Sequence, residues 1–122
     1  MKETIKSIIE WHEQTFPDVT LDGQLQKLAD EYEEYYEADK KDSYGKAALM
    51  ELADLVIVAC GIARFNLVQG LDAFDDALNI INHASCFCVE EVNEAVQEKM
   101  QINRNRKWEK QGNTYQHIEE GE

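Results

Sequence analysis

Glu51 and Asp54 interrupt the most apolar stretch of the chain, Ala47-Ala48-Leu49-Met50-Glu51-Leu52-Ala53-Asp54-Leu55-Val56-Ile57-Val58-Ala59-Cys60. Residues three apart on an α-helix project from neighbouring positions of one face. A helix through this stretch therefore holds two carboxylates side by side in apolar surroundings, an arrangement that costs on the order of several kcal/mol unless positive charge compensates it. The same spacing occurs earlier in the chain, at Glu31 and Glu34, which lie along the edge of an apolar stripe. A solvated helical face accounts for most Glu-rich runs, but that account fails inside residues 47–60. Two acidic pairs with few cations to neutralise them point to a divalent metal.

The 122 residues make one domain, and the single proline, six glycines and abundant Glu, Gln, Ala, Leu and Lys predict an all-α fold. The run 47–65 approaches membrane-spanning length, but Glu51, Asp54 and Arg64 break it, so it reads as a buried helix and no membrane partner is expected. A net charge of −13 argues against the basic face that nucleic-acid binding needs, although polyanions can still bind locally where metal ions screen the acids. Cys60, Cys86 and Cys88 show neither CxxC nor Cys/His spacing, so all three are expected as reduced, buried thiols. With no apolar signal core in Met1-Lys2-Glu3-Thr4, the expected location is cytoplasmic.

Ile5, Ile8, Ile9, His12 and Phe16 recur at helical spacing and predict a first helix over 4–15, closed by Pro17-Asp18. Thr20 is the expected cap of a second helix with the stripe Leu21, Leu25, Leu28, Ala29, Tyr32, Tyr35 and Tyr36. A third is expected over 46–68, stopping at Gly70 as its C′ residue. Phe74, Ala77, Leu78 and Ile81 mark a fourth after Asp72. Val89, Val92, Val96 and Met100 mark a fifth ending near Gly112, with 85–89 the weak point between the two. The domain is thus 1–112, followed by a polar tail, 113–122. The third helix is more apolar than a few short partners can cover, which predicts an oligomer.

The second helix allows two acidic registers, Asp30-Glu31 with Glu34, or Glu33-Glu34 with Glu37. Near the C-terminus, Lys99, Arg104, Arg106, Lys107 and Lys110 concentrate five of the twelve basic residues. On a helix, Lys99, Asn103 and Arg106 fall at i, i+4 and i+7 on one face. Ammonium, amide and guanidinium together make a phosphate reader, the guanidinium able to bind two oxygens at once. Trp11 and Phe16 are aromatic enough to stack on a base or to fill the core. No ExxH, CxxC, P-loop or Ser/His/Asp arrangement occurs, so covalent catalysis and a ferritin-like di-iron site have no candidates.

Gln24-x-x-Lys27-Leu28-x-Asp30-Glu31-x-x-Glu34, followed by Glu51-Leu52-Ala53-Asp54, resembles the motif of the all-α nucleotide pyrophosphohydrolases: MazG, the dimeric dUTPases and their phage relatives. The match favours Glu31 with Glu34 and departs at Asp30, where the family usually has Glu. Lys99-Met100-x-x-Asn103-x-x-Arg106-x-Trp108 resembles the Lys/Asn/Arg element of MazG-like phage proteins, and residues 9–17 look like the start of that branch. The resemblance covers most of 5–108 and is weakest over 67–89. It implies a compact MazG-like bundle of four to five helices, assembled as a homotetramer (a dimer of dimers), in a host's cytoplasm if the source is viral. The implied reaction is hydrolysis of a nucleoside triphosphate, such as the purine deoxynucleotides dATP or dGTP, to the monophosphate and diphosphate. Glu31, Glu34, Glu51 and Asp54 would hold Mg²⁺, with Mn²⁺ as a substitute. Lys27, Lys99, Asn103, Arg106, Trp108 and Trp11 would contact the substrate, and Glu34 or Glu37 would take a proton from water. The contrasting expectation is a non-catalytic acidic helical protein, a DNA mimic or phage-type interaction module that uses the −13 charge to occupy a partner's basic site.

Overall fold

Side-chain caps set where the helices begin. In the computed structural model, which describes residues 2–111 and 114–118, Thr4 and Ser7 exchange side-chain-to-backbone hydrogen bonds at the start of α1 (Ile5–Thr15). Thr20 Oγ1 accepts from the Gly23 N–H at 3.0 Å and opens α2 (Leu21–Lys41). α3 (Lys46–Ala63) follows the turn at Gly45. Asn66 Oδ1 accepts from the Gln69 N–H at 3.0 Å to start α4 (Leu67–His83). Glu91 Oε1 accepts from the Cys88 N–H at 3.0 Å at the head of α5 (Val89–Asn105). Two antiparallel strands, β1 (Lys107–Gln111) and β2 (Thr114–Ile118), complete the described chain, with Lys107 opposite Ile118 and Gln111 opposite Thr114.

α3 is the central element, and α1, α2, α4 and α5 all pack on it. Ala48, Leu52, Ala53, Leu55, Ala59, Cys60 and Ile62 lose all contact with solvent. The chain thus covers its own most apolar helix, and the expectation that a second subunit is needed for that purpose does not hold. Among the described residues no helix is long and apolar enough to cross a membrane.

Four sequence expectations are corrected. The third helix ends at Ala63 and not at Val68, because Asn66 caps a new helix within the apolar run. Gly70 accordingly terminates nothing; it lies buried in the first turns of α4, where a Cβ would stand 2.5 Å from Ala63 Cα. The fifth helix ends at Asn105, seven residues before Gly112, and the chain continues as a hairpin into the expected tail. The rest of that tail, residues 113 and 119–122, lies outside the described residues. Cys86 and Cys88 are exposed, since Phe87 between them turns inward against the core; only Cys60 is the expected buried thiol.

The hairpin is held by its aromatic face and by one acid. Phe16 packs edge-on against Trp108 at 5.1 Å between centroids and contacts Tyr115 at 4.8 Å. Asp18, in the α1–α2 connection, accepts from Lys110 Nζ at 2.8 Å and from the Tyr115 hydroxyl.

Candidate active site

Glu31 reaches from α2 toward Glu51 and Asp54 on α3, and one carboxylate oxygen from each lies within 4.8 Å of the others. Glu31 is buried, 9% exposed, although it is flanked on α2 by the exposed Asp30 and Glu34. Glu31 Oε2 and Glu51 Oε2 are buried without a hydrogen-bond partner among the described residues. The cation in contact with the cluster is Lys99, whose Nζ lies 3.4 Å from Asp54 Oδ2. Burial, reinforced by the charges of Asp54 and Glu34, pushes the Glu31 carboxyl up to about 9. Burial and the Asp54 charge push Glu51 up to about 7. Burial also raises Asp54, against the lowering effect of Lys99 and Lys27. Three hard oxygen donors, two of them with unsatisfied buried atoms, fit a divalent cation of the Mg²⁺ or Mn²⁺ type. Glu34, one turn beyond Glu31, is exposed and lines the same cavity, whereas Glu37 does not line it.

These carboxyls make a pH prediction for the metal-free protein. A carboxyl bound more tightly to its proton in the folded state than in the unfolded one favours folding while protonated, and that contribution is lost as the proton leaves. Metal-free stability should therefore fall from the ordinary Glu value of 4.5 up through the folded value of about 9. The expected result is a thermal midpoint in EDTA several degrees lower at pH 8.5 than at pH 5.5, with Mg²⁺ closing the gap. Equal midpoints with and without Mg²⁺ at both values would refute it.

Lys99 and Asn103 of α5 and Arg106 just beyond it line, together with Lys27 and Gln24 of α2, the same cavity as the acids, about 330 Å³ in volume. The expected metal and substrate residues all line it: Glu31, Glu34, Glu51 and Asp54, then Lys27, Lys99, Asn103, Arg106, Trp108 and Trp11; Glu37, the alternative proton acceptor, does not. Two of them, Arg106 and Trp108, sit differently than expected, while Trp11 takes the core position that was one of its expected places. Arg106 follows the helix on extended backbone, its Nη1 3.5 Å from Asn103 Oδ1. Trp108 stands on β1 and donates from Nε1 to the Asn103 carbonyl at 3.2 Å. Trp11 is buried in the core and also forms cavity wall, edge-on to Phe16 at 5.2 Å and to Trp108 at 6.2 Å.

Sequence reasoning missed Gln24, His12, Tyr115 and His117 as cavity residues. His12 is 4% exposed, and burial pushes it down to about 4, so it is neutral at physiological pH. The available signal was a histidine on the apolar stripe of the first helix, because a buried imidazole requires partners for both nitrogens. Compared with known proteins, the chain matches no family model, no curated protein and no solved structure.

Proposed function

We propose that the protein is a divalent-metal-dependent nucleoside triphosphate pyrophosphohydrolase of the MazG-like type, acting on a deoxynucleotide. The observation that carries this reading is the pairing, within one cavity, of an under-neutralised carboxylate cluster with a wall of ammonium, amide and guanidinium. A surface mimic of an acidic polymer would gain nothing from acids that are buried. Glu31, Glu51 and Asp54 would hold Mg²⁺, with Glu34 at the rim as the ligand least committed to it. When bound, the metal neutralises charge on the phosphates and makes a water more acidic.

Lys99, Asn103 and Arg106 hold the phosphate chain, the Arg106 fork taking two oxygens and Lys99 acting as a point charge between the phosphates and Asp54. Positioning of this kind is most of what phosphoryl transfer asks of a protein. Water attacks the α-phosphorus, the bond to the bridging oxygen breaks, and diphosphate leaves. Glu34 receives the water's proton, being an acid of the cavity that is open to solvent and outside the buried trio. The aromatic end, with Trp11 and Trp108, takes the base. The exposed Leu67, Val68, Leu71 and Leu78 of α4 give a homo-oligomer an apolar contact face.

Diphosphate release from a panel of nucleoside triphosphates tests this. Turnover is expected with Mg²⁺, none in EDTA, and restoration by Mn²⁺. Absence of turnover on every nucleotide, together with no Mg²⁺-dependent change in thermal midpoint, would overturn the reading.

A further inference from the structure

Gln24 is the polar residue of this cavity whose orientation the surrounding structure locks. It is 3% exposed, and its Oε1 lies 3.0 Å from His12 Nε2. On the other side of the imidazole, Arg64 Nη1 lies 3.1 Å from His12 Nδ1. A guanidinium only donates, so Nδ1 accepts and the single proton of the neutral ring sits on Nε2. Nε2–H therefore donates to Gln24 Oε1. Arg64 is itself fixed by donating to the Phe16 carbonyl at 2.8 Å and the Pro17 carbonyl at 3.3 Å. The relay leaves Gln24 one end for the cavity, its NH₂. The amide cannot turn over, because its NH₂ would then face the imidazole N–H, and the imidazole cannot change tautomer without setting an N–H against Arg64.

Gly61 is a second, independent sign that this relay is built into the fold. It lies inside α3, where glycine is disfavoured. A Cβ there would stand 2.7 Å from His12 Nε2 and 3.0 Å from Gln24 Oε1. The space that a side chain would fill is occupied by the imidazole–amide bond itself.

We propose that Gln24 reads the nucleobase and, as a fixed donor, selects bases with a ring carbonyl (6-oxopurines, 4-oxopyrimidines) over their amino counterparts. The inference rests on the triphosphate reading above. An unconstrained glutamine offers either a donor or an acceptor; this one offers only N–H. It pairs with a carbonyl oxygen and meets an exocyclic amine donor to donor, which leaves buried polar groups unpaired. Gln24 would touch the substrate, while His12 and Arg64 are positioning residues that act through it.

Matched substrates that differ at this group test the idea: dITP against dATP and dUTP against dCTP, followed by diphosphate release in Mg²⁺. In the ring size the cavity accepts, kcat/KM should favour the oxo member by about tenfold or more. Gln24→Met, which keeps the length and removes the donor, should bring the ratio to within about twofold. Arg64→Met frees His12 Nδ1 and lets the amide turn over, so it should narrow the ratio while kcat for the oxo member stays within about threefold of wild type. A purely structural role for Arg64 would instead lower all nucleotides alike. Equal ratios in the wild type, a preference for the amino member, or a preference that survives in Gln24→Met would overturn the base-reading role and leave the pyrophosphohydrolase reading standing. Absence of turnover on every nucleotide would overturn both. Should Gln24→Met not fold, the wild-type ratios and Arg64→Met still decide.

Discussion

Exchanging Glu51 for Gln should reduce turnover by at least about 100-fold while making the metal-free protein more stable. The two effects share one cause. Glu51 Oε2 is buried without a hydrogen-bond partner, as is Glu31 Oε2. In the absence of a cation, and above the pH near 7 at which Glu51 loses its proton, the cluster is held together against its own charge, with Lys99 the compensating contact. A glutamine of the same shape removes one charge and supplies an N–H that can donate to the neighbouring carboxylate. Relief of that strain is worth about 1–2 kcal/mol, a rise of several degrees in the EDTA thermal midpoint. On the proposed reading the same exchange removes a metal ligand, so the stabilisation by Mg²⁺ expected of the wild type should shrink or vanish. A variant that turns over at the wild-type rate would dismiss Glu51 as a ligand. A metal-free midpoint below the wild type's would dismiss the electrostatic account of the cluster.

Gly70→Ala is expected to give the largest loss of stability from a single added methyl group, about 2–3 kcal/mol, or roughly 10 °C in thermal midpoint. The new Cβ would lie 2.5 Å from both Ala63 Cα and Ala63 Cβ, and 2.8 Å from Ala63 N. These are atoms at the C-terminal end of the central helix. No flexible side-chain end is there to swing away, so α3 and α4 must separate. Leu71→Ala is the control: the neighbouring residue is 56% exposed and its truncation should cost little. If the two substitutions shifted the midpoint equally, the close approach of α3 and α4 at this glycine would not be what holds them.

The contrast between those positions explains what was legible in the sequence. The acids were legible because burying them is expensive, and expensive placements leave few interpretations. Lys99, Asn103 and Arg106 were legible through helical spacing, although Arg106 reaches the cavity from beyond the helix end. The α3–α4 break was hidden because apolar residues continue across it: Leu67 and Val68 extend the pattern of α3 yet are exposed on α4. Its one local signal was Asn66, a good cap three residues before Gln69. Gly70 misled for a related reason, since a glycine after an apolar run marks a stop or a close contact equally well, and only the neighbouring helix decides which. The hairpin was masked by the charged residues of β1, although Gly-Asn between Trp108 and Tyr115 is a turn signal. His12 left a signal in its place on the apolar stripe of the first helix, but its pairing with Gln24 was beyond reach, because that bond joins α1 and α2 and is shaped by Gly61 and Arg64 of a third segment.

The two halves of the cavity come from separate parts of the chain. Its acids belong to residues 31–54, on consecutive helices, whereas Lys99, Asn103 and Arg106 come from residues 99–106 and its aromatic wall from α1 and the hairpin. The acids and the aromatic wall are therefore encoded by separate segments, and α2 joins them by carrying Gln24 beside Glu31 and Glu34. On the proposed reading, the aromatic wall can change through α1 and the hairpin alone, whereas a change of the polar base reader Gln24 falls on α2, a helix that also carries the cluster acid Glu31.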